Sequence, residues 1–266
     1  MSKIGPAAVL STLLLCLLVG PRYPALARDI ASSTVSDFPA ANLTIFSADG
    51  KQVIGYGTYA VTATDDEETL RGENRYLDGE YDTELEHLKS GVGGQPPTLV
   101  SYEHSFFNTD HSPQRVASLD TKSGAASCKV YLYSQPEDRR SHVTVPADTY
   151  AGATQMMFVV IRLRQGADNI RFHSFSCTPG PEVIATEASV EPKRVRWSMY
   201  PGELVKLEMG PDLGWLGVLA APFIRKMYAW VDPNNNRNFV GGVYDRFYGG
   251  RRVLTVRGSQ HLQPRY

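Results

Sequence analysis

The chain has 266 residues, of which 42% are hydrophobic and 21% are charged, and its formal net charge is −1 at pH 7. The hydrophobic fraction is sufficient for a packed core, whereas the near-neutral charge argues against the basic surface that generic nucleic-acid binding requires. The three cysteines include no C-x-x-C pair, so the usual spacing of a zinc or dithiol redox site is missing. From composition and motifs we predict no nucleic-acid partner, no metal and no cofactor.

Residues 1–27 have the pattern of a secretory signal peptide. Lys3 provides a positive start, residues 7–19 form an uncharged and mainly apolar run, and Ala25-Leu26-Ala27 is a small-x-small cleavage site. The run is shorter than the roughly 20 apolar residues that a membrane span needs, although an uncleaved anchor is the alternative. We expect cleavage after Ala27, a periplasmic or secreted mature protein, and no membrane span after signal removal.

The rest of the chain has mainly β patterns. We predict a flexible leader at 28–41, a single β-rich domain at 42–258 and a tail at 259–266. Asp49-Gly50 and Asp78-Gly79 are each flanked by β-prone runs, which is the pattern of tight hairpins between antiparallel strands. No internal repeat and no low-complexity linker divides the domain.

One apolar segment, 149–166, interrupts the strands. It is apolar on nearly every face, with Asp148 or Thr149 available as a side-chain N-cap and Gly166 as a left-handed C-cap. A helix of this kind belongs in a protein interior. A buried strand is the alternative, because residues 158–161 are β-prone. We predict one central buried helix at about 149–165.

Removal of the signal leaves two cysteines, Cys128 and Cys177, in an oxidising compartment, and a disulfide is the expected outcome. Closing a loop of about 50 residues constrains the unfolded chain by about 4 kcal/mol in the entropy model. The pair lies on either side of the predicted helix in sequence, so we expect it to fix the strands that flank the helix.

Strands before and after a single helix predict a mainly β fold in which a long antiparallel sheet curls around that helix. A sheet of this length must curl to bury one face, which gives an unclosed β-barrel.

Three segments carry a resemblance to known families: the helix VPADTYAGATQMMFVVIRL, the strand pair after it, and the late stretch YAWVDPNNNRNFVGGVYDRFYGGRRVLTVRG. They resemble exported bacterial families of unknown function with an incomplete antiparallel β-barrel wrapped on a helix. Those families have a late W-x-D hairpin followed by a glycine-containing strand, as Trp230, Asp232 and Gly249-Gly250 provide here. The shape is more distantly similar to periplasmic lipoprotein carriers, whose half-barrels shelter acyl chains.

Charge is distributed unevenly along the chain. Acidic residues crowd 65–86, and arginines crowd 225–257. The two segments either pack together or lie on solvated faces of edge strands, and the second interpretation is the simpler one. His104 and His111 are expected to be surface or hydrogen-bonded residues rather than catalytic ones.

The predicted ligand-binding residues combine apolar side chains with one cation. They are Met156, Met157, Phe158, Arg162, Trp197, Trp215 and Trp230. Methionines and aromatics at these positions are also compatible with ordinary core packing. An arginine on an apolar helix must be paired or must extend to the surface, and we expect a partner from elsewhere in the fold, or a ligand carboxylate or phosphate.

No catalytic motif such as G-x-S-x-G, H-E-x-x-H or a P-loop is present, and no catalytic residue is predicted. We therefore predict a non-enzymatic periplasmic binding or carrier module for a lipid or another apolar or acyl ligand. The alternative is a structural or protein-interaction domain of the cell envelope with a filled core. An internal cavity larger than a few hundred Å³ favours the first function over the second.

Overall fold

The computed structural model describes residues 40–131, 137–178, 180–197, 200–214, 225–235, 238–247 and 250–258. The predicted signal peptide, nearly all of the leader, the tail and Trp215 lie outside these ranges. All described residues belong to one compact unit of the chain, 31–266.

The described residues form fifteen strands and one helix. In chain order these are β1 Ala41–Ser47, β2 Val53–Ala63, β3 Glu67–Tyr76, β4 Tyr81–Lys89, β5 Thr98–Phe107, β6 Pro113–Asp120, β7 Ala125–Val130, β8 Glu137–His142, β9 Thr149–Tyr150, α1 Gly152–Arg164, β10 Asn169–Ser176, β11 Glu182–Arg196, β12 Glu203–Pro211, β13 Met227–Asp232, β14 Asn238–Asp245 and β15 Arg252–Arg257.

All fifteen strands belong to one sheet, in the order β8-β7-β6-β5-β4-β3-β2-β1-β15-β14-β13-β12-β11-β10-β9. Each strand is antiparallel to its neighbours except β9, which runs parallel to β10. The first and last strands of the chain meet in the middle of the sheet, where Ile45 of β1 lies opposite Thr255 of β15. The predicted mainly β fold with a curled antiparallel sheet around one helix is confirmed.

The predicted disulfide is present, and its position shows how far the sheet curls. Cys128 lies in β7, second in the sheet order, whereas Cys177 directly follows β10, which is fourteenth. Their Cα atoms are nevertheless only 5.7 Å apart. Since no strand pairing joins β8 to β9 or β10 in the described ranges, the disulfide links the two ends of an open sheet. The sequence indicated the bond but not that the bond closes a barrel.

The two ends of the sheet are protected against pairing with other chains. Every residue of β8 is exposed, and four of its six residues, Glu137 to Arg140, are charged. At the other end, β9 has only two residues. Short and charged edge strands are two of the devices by which proteins avoid edge-to-edge association.

Both predicted tight turns are present. Gly50 and Gly79 have φ of 72° and 89°, in the left-handed region that glycine adopts without steric cost. They connect β1 to β2 and β3 to β4. At Gly55 the sheet also requires a small residue, because a Cβ there would lie 2.5 Å from the backbone oxygen of Arg75.

The helix is present but begins later than predicted. It runs from Gly152 to Arg164, because Thr149 and Tyr150 pair with β10 as β9. Its N-cap residue is Ala151, with no side-chain cap, so the predicted cap at Asp148 or Thr149 is wrong.

The interior position and the end of the helix agree with the prediction. Three consecutive residues, Val159, Val160 and Ile161, are fully buried, which places almost the whole circumference inside the protein. Gly166 follows the helix with φ of 94°, as expected for a left-handed C-cap. In the described part of the chain, no helix is long and apolar enough to cross a membrane.

The core on the concave side of the sheet has two parts. The first lies mainly on β1 and β3–β7 and includes Leu70, Leu88, Leu99 and Phe175. The second includes Phe158 of the helix together with Tyr150, Phe172, Leu207 and Val231 from strands β9 to β13. Most of the helix therefore packs against the second half of the sheet, whereas Ala153 and Met157 contact the first part of the core.

Candidate functional site

A cavity of about 1030 Å³ lies between the helix and the inner face of the sheet. Four methionines contribute to its lining, Met156 and Met157 from α1 and Met209 and Met227 from β12 and β13. Most of the lining surface is apolar, with further contributions from Leu43, Val61, Phe175, Ile184 and Phe239. Flexible methionine side chains can adapt to ligands of irregular shape. The volume is at the upper end of the about 300–1,000 Å³ that is typical of small-molecule sites.

Of the predicted ligand-binding residues on the helix, Met156 and Met157 line this cavity, but the other two do not. Phe158 stacks on Tyr150, with ring centroids 4.4 Å apart, inside the second core cluster. Arg162 is half-buried and donates to Gln165 Oε1 at 2.9 Å. The observed partner is thus a residue three positions later in the chain, and not the expected partner from elsewhere in the fold.

Trp197 and Trp230 belong to a third cluster on the outer face of the sheet. Their ring centroids are 4.4 Å apart, and they pack with Leu254 and Val256 of β15. Successive side chains of a strand point to opposite faces, so these two residues of β15 face away from the cavity that Thr255 lines. Trp197 and Trp230 therefore do not line the cavity, so this placement does not support their predicted role in ligand binding. The third predicted tryptophan, Trp215, lies outside the described residues.

The most unexpected feature of the interior is a row of carboxyl groups on β4. Asp82, Glu84 and Glu86 are 1%, 7% and 0% exposed and share the inner face with Leu88. The expectation that the acidic segment lies on solvated strand faces is therefore wrong for these residues. The sequence contained one signal for this burial. Side chains two residues apart on a strand point to the same face, so Asp82, Glu84 and Glu86 share a face with the apolar Leu88.

Asp82 is the acceptor at the centre of a buried polar network. It accepts hydrogen bonds from Asn74 Nδ2 and from the hydroxyl of Tyr76, both at 2.9 Å. His104 Nε2 lies 3.2 Å from the same carboxylate. Burial lowers the pKa of His104, but the hydrogen bond and charge of Asp82, together with the charge of Glu84, outweigh it and raise the pKa overall. The network therefore contains a charge-assisted pair.

Glu84 and Glu86 hold the N-terminus of the helix. The backbone N–H of Ala153 donates to Glu84 Oε1 at 2.9 Å, and that of Thr154 donates to Glu86 Oε1 at 3.2 Å. These are the second and third helical residues, whose N–H groups an N-cap side chain normally satisfies. Carboxyl oxygens at this position also carry negative partial charge, which interacts favourably with the helix dipole. Residues of the sheet thus supply the cap that the helix itself lacks.

A glycine at the helix start makes this contact possible. A Cβ at Gly152 would lie 1.5 Å from Glu84 Oε1, and the residue has φ of 46°. The other oxygen of Glu84 accepts from the Tyr59 hydroxyl at 2.8 Å. Both oxygens of Glu84 are therefore engaged, and the helix is fixed against β4.

The buried carboxyl of Glu86 is protonated at pH values where an exposed glutamate is ionised. Burial is the largest cause that raises its pKa well above 4.5, and the charge of Glu84 raises it further, while the hydrogen bond from Thr154 lowers it. Above about pH 4.5 the unfolded chain releases this proton and the folded chain retains it. Stability therefore falls as pH rises in this window, by up to about 1.4 kcal/mol per pH unit.

We expect Glu86→Gln to remove this contribution to the pH dependence. Glutamine keeps an oxygen that accepts from Thr154 but releases no proton, so the stability of the variant relative to the unmodified protein increases with pH above about 4.5. Urea unfolding at pH 5 and pH 8 measures the difference, with Glu67→Gln at an exposed position of β3 as the control. Parallel pH profiles for the Glu86 variant and the unmodified protein would contradict the assignment.

Arg246 connects the acidic and basic segments of the chain. Its guanidinium lies 3.2 Å from Asp78 and 2.7 Å from Glu80, and it stacks over the Tyr76 ring at 3.4 Å. The acidic segment 65–86 and the arginine-rich segment 225–257 therefore pack together at Arg246, which is one of the two arrangements considered from the sequence. The β1–β15 pairing explains it, because it brings the strands near both ends of the chain side by side.

The fold and cavity define a class of protein: an open antiparallel barrel whose sheet ends are joined by a disulfide, with one internal helix and a large, mainly apolar cavity. No protein-family model matches the chain, and no curated protein sequence matches it. Among solved structures, it is similar to a crystal structure described as a beta-barrel-like protein of domain of unknown function DUF1849 from Brucella abortus. That similarity has a TM-score of 0.45 and 12% identity, and it covers 83% of this chain and 94% of that chain.

Proposed function

We propose that the protein is a non-enzymatic binding or carrier module for an apolar or acyl ligand, acting in the periplasm or outside the cell after removal of residues 1–27. The observation that carries the proposal is the cavity of about 1030 Å³ with its mainly apolar lining. A filled core would favour a purely structural or protein-interaction domain. The apolar surface of the cavity instead gives a ligand's hydrocarbon a favourable environment outside water.

Asp82, Glu84 and His104 line the cavity, and their existing hydrogen bonds favour binding over catalysis. Asp82 already accepts from Asn74 and Tyr76 and is paired with His104, and both oxygens of Glu84 are occupied by donors of the protein. A general base needs access to a proton of the substrate. We therefore assign Glu84 to the support of the helix that forms one wall of the cavity, and Asp82 to the hydrogen-bond network of the sheet.

The direct test is to identify what the protein binds in its own compartment. The full chain is expressed with its signal, purified under native conditions without detergent, and analysed by native mass spectrometry and by lipid extraction. We expect a co-purifying apolar molecule, and we expect emptied protein to take up a fluorescent fatty acid. Protein that is free of lipid and fails to take up the probe would contradict the carrier function and leave the structural or interaction role.

A charge in the cavity lining should weaken uptake. We expect Met156→Glu to lower the affinity for the fluorescent fatty acid by at least about tenfold, because the bound chain would lie against a carboxylate that must be desolvated. Ile184→Glu, on the opposite wall, tests the same point if the first variant is unstable. Val92→Glu is the matched control, because Val92 is 82% exposed on a loop. Unchanged affinity in both cavity variants, with the fold confirmed by circular dichroism, would contradict the location.

A further inference from the structure

If the proposed function holds, a polar side chain that lines the cavity and has no partner in the protein is available to the polar end of a ligand. Gln155 of α1 is such a side chain. It is only 8% exposed, and it lines the cavity. Within the described ranges, no group of the protein forms a hydrogen bond with its side-chain amide.

Gln155 differs in this respect from the other buried polar side chains of the lining. In the described part of the chain, each of those is hydrogen-bonded within the protein; they are Asn74, Asp82, Glu84, Ser174, Thr186 and Thr255. A buried amide without a partner costs free energy, and most buried polar groups have one. A polar group of a ligand in the cavity would supply the partner that Gln155 lacks.

The helix geometry directs Gln155 towards the cavity. Residues three and four apart share one face of a helix, so Gly152, Gln155 and Met156 lie together, and all three line the cavity. Helical side chains lean towards the N-terminus, so the amide of Gln155 lies over the first turn, which Glu84 holds. Met156, next to it, begins the apolar lining along which a hydrocarbon chain would lie.

The surroundings of Gln155 disfavour a charged head group. Glu84 accepts from the N–H of Ala153, two residues before Gln155, so an anion bound to Gln155 would lie close to a carboxyl group and be repelled. A cation would compete for Glu84 with the donors of Tyr59 and Ala153 and would weaken the support of the helix. Glu182, which is half-buried, also lines the cavity, and the test below includes a cation for this reason.

The basic residues of the lining are also engaged within the protein. Their carboxylate partners are Asp245 for Arg225 and Arg252, Glu208 for Lys226, and Asp78 and Glu80 for Arg246. Arg257 is likewise engaged. An anionic head group would have to compete with these existing contacts, whereas a neutral group at Gln155 displaces none of them.

We propose that Gln155 binds the polar end of the ligand and that this end is uncharged and both donates and accepts hydrogen bonds, as a hydroxyl or an amide does. The ligand class is long-chain alcohols, monoacylglycerols and fatty amides. A carboxamide side chain offers two donors and an acceptor, so it can donate to and accept from such a group at the same time. The hydrocarbon of a fatty acid fits the same apolar lining, so fatty acids bind as well, but more weakly than the matching alcohol.

The test compares polar ends on one chain length. Emptied full-length mature protein is titrated at neutral pH with a long-chain alcohol and with the matching primary amide, alkyl chloride, carboxylate and alkylammonium, each competing against a fluorescent apolar probe. We expect the alcohol and the amide to bind at least about fivefold more tightly than the chloride, which leaves the buried amide of Gln155 unpaired. The ratio of alcohol to amide affinity distinguishes the two neutral groups.

Variants assign the preference to one residue. Gln155→Met keeps the length of the side chain, so it should remove the advantage of the alcohol and the amide without weakening the binding of the chloride. Because the amide has no partner in the protein, this variant should also be at least as stable in urea as the unmodified protein. Gln155→Leu repeats the test if the methionine variant is unstable. Gln52→Met, at an exposed turn position, is the matched control and should bind as the unmodified protein does.

The outcomes separate this proposal from the proposed function. Equal affinity for the alcohol and the chloride, or tighter binding of the carboxylate or the ammonium than of the alcohol, overturns the neutral preference while the binding function stands. A preference for the alcohol that survives both Gln155 variants overturns the assignment to Gln155. If no member of the series displaces the probe and the probe itself does not bind, the binding function fails together with this proposal.

Discussion

Replacing Cys128 and Cys177 with alanine together should lower the free energy of unfolding by about 4 kcal/mol, because the disulfide closes a loop with a sequence separation of 49 residues. This is a large fraction of the about 5–15 kcal/mol by which native proteins are stable. The bond also joins the two ends of the open sheet, so its loss should affect the folded state as well as the unfolded chain.

Besides the disulfide, ring packing and hydrogen bonds cross from one end of the sheet to the other, among them the edge contact of Tyr102 on β5 with Phe175 on β10. Ser141 Oγ of β8 donates to the backbone oxygen of Pro181 at 3.2 Å, and the Tyr150 hydroxyl donates to that of Pro97 at 2.9 Å. We therefore expect amide exchange in the double variant to accelerate most in β7, β8 and β10, and least in the β1–β15 centre of the sheet.

Urea unfolding measures the stability loss, and hydrogen exchange locates it. Reductant should produce the same loss in the unmodified mature protein and no further loss in the double variant, which serves as the control. Stability that is unchanged after both thiols have been shown to be free would contradict the role of the disulfide in holding the barrel together.

Asp82→Ala should cost about 3–5 kcal/mol, the range for removing one partner of a buried ion pair. The change leaves Asn74, Tyr76 and His104 without the acceptor that they share. It also removes the main cause that raises the pKa of His104, so burial then favours the neutral ring. Asp65→Ala, at an exposed turn position, should change stability by less than about 0.5 kcal/mol.

The pH dependence distinguishes loss of this pair from simple loss of packing. Because the folded-state pKa of His104 is raised, its contribution is complete below about pH 6.5 and is lost as pH rises through the folded-state value. Asp82→Asn, which keeps the size of the side chain, should flatten this part of the stability profile. Equal slopes in the unmodified protein and in the asparagine variant, measured by urea unfolding between pH 5.5 and 8.5, would contradict a charged Asp82–His104 pair.

Local features of the fold could be predicted from the sequence because they depend on neighbouring residues. The two Asp-Gly turns follow from the backbone freedom of Gly50 and Gly79, and the interior helix follows from the apolar run around Val159. The disulfide could be predicted because two cysteines remain outside the predicted signal peptide.

Features that depend on long-range pairing could not be predicted in the same way. No residue pattern within β1 or β15 indicates that these two strands pair. With this pairing in the centre of the sheet, β7 and β10 lie near its opposite ends, and the bond between Cys128 and Cys177 links those ends. The cap of the helix was assigned to Asp148 or Thr149 because capping residues are sought next to a helix. The observed cap comes from Glu84 and Glu86, about 70 residues earlier.

The predicted ligand-binding residues were also only partly correct, because the position of a side chain in the cavity depends on the long-range arrangement of the sheet. Met156 and Met157 line the cavity, whereas Trp197 and Trp230 pack on the outer face, because residue type does not reveal which face of a curled sheet a side chain occupies. The inward carboxyl groups of β4 were missed because acidic residues on strands usually face water. Burial is tolerated here because the helix start and nearby polar side chains provide donors.

The most direct test of the central claim, that an apolar ligand occupies the space between helix and sheet, is a methyl NMR titration. Mature protein labelled with 13C at the methionine methyl groups is titrated with a fatty acid that carries a nitroxide in its chain. We predict that the signals of Met156, Met157, Met209 and Met227 broaden together and recover when the nitroxide is reduced. Saturation binding that leaves all four methyl signals unchanged would contradict the account.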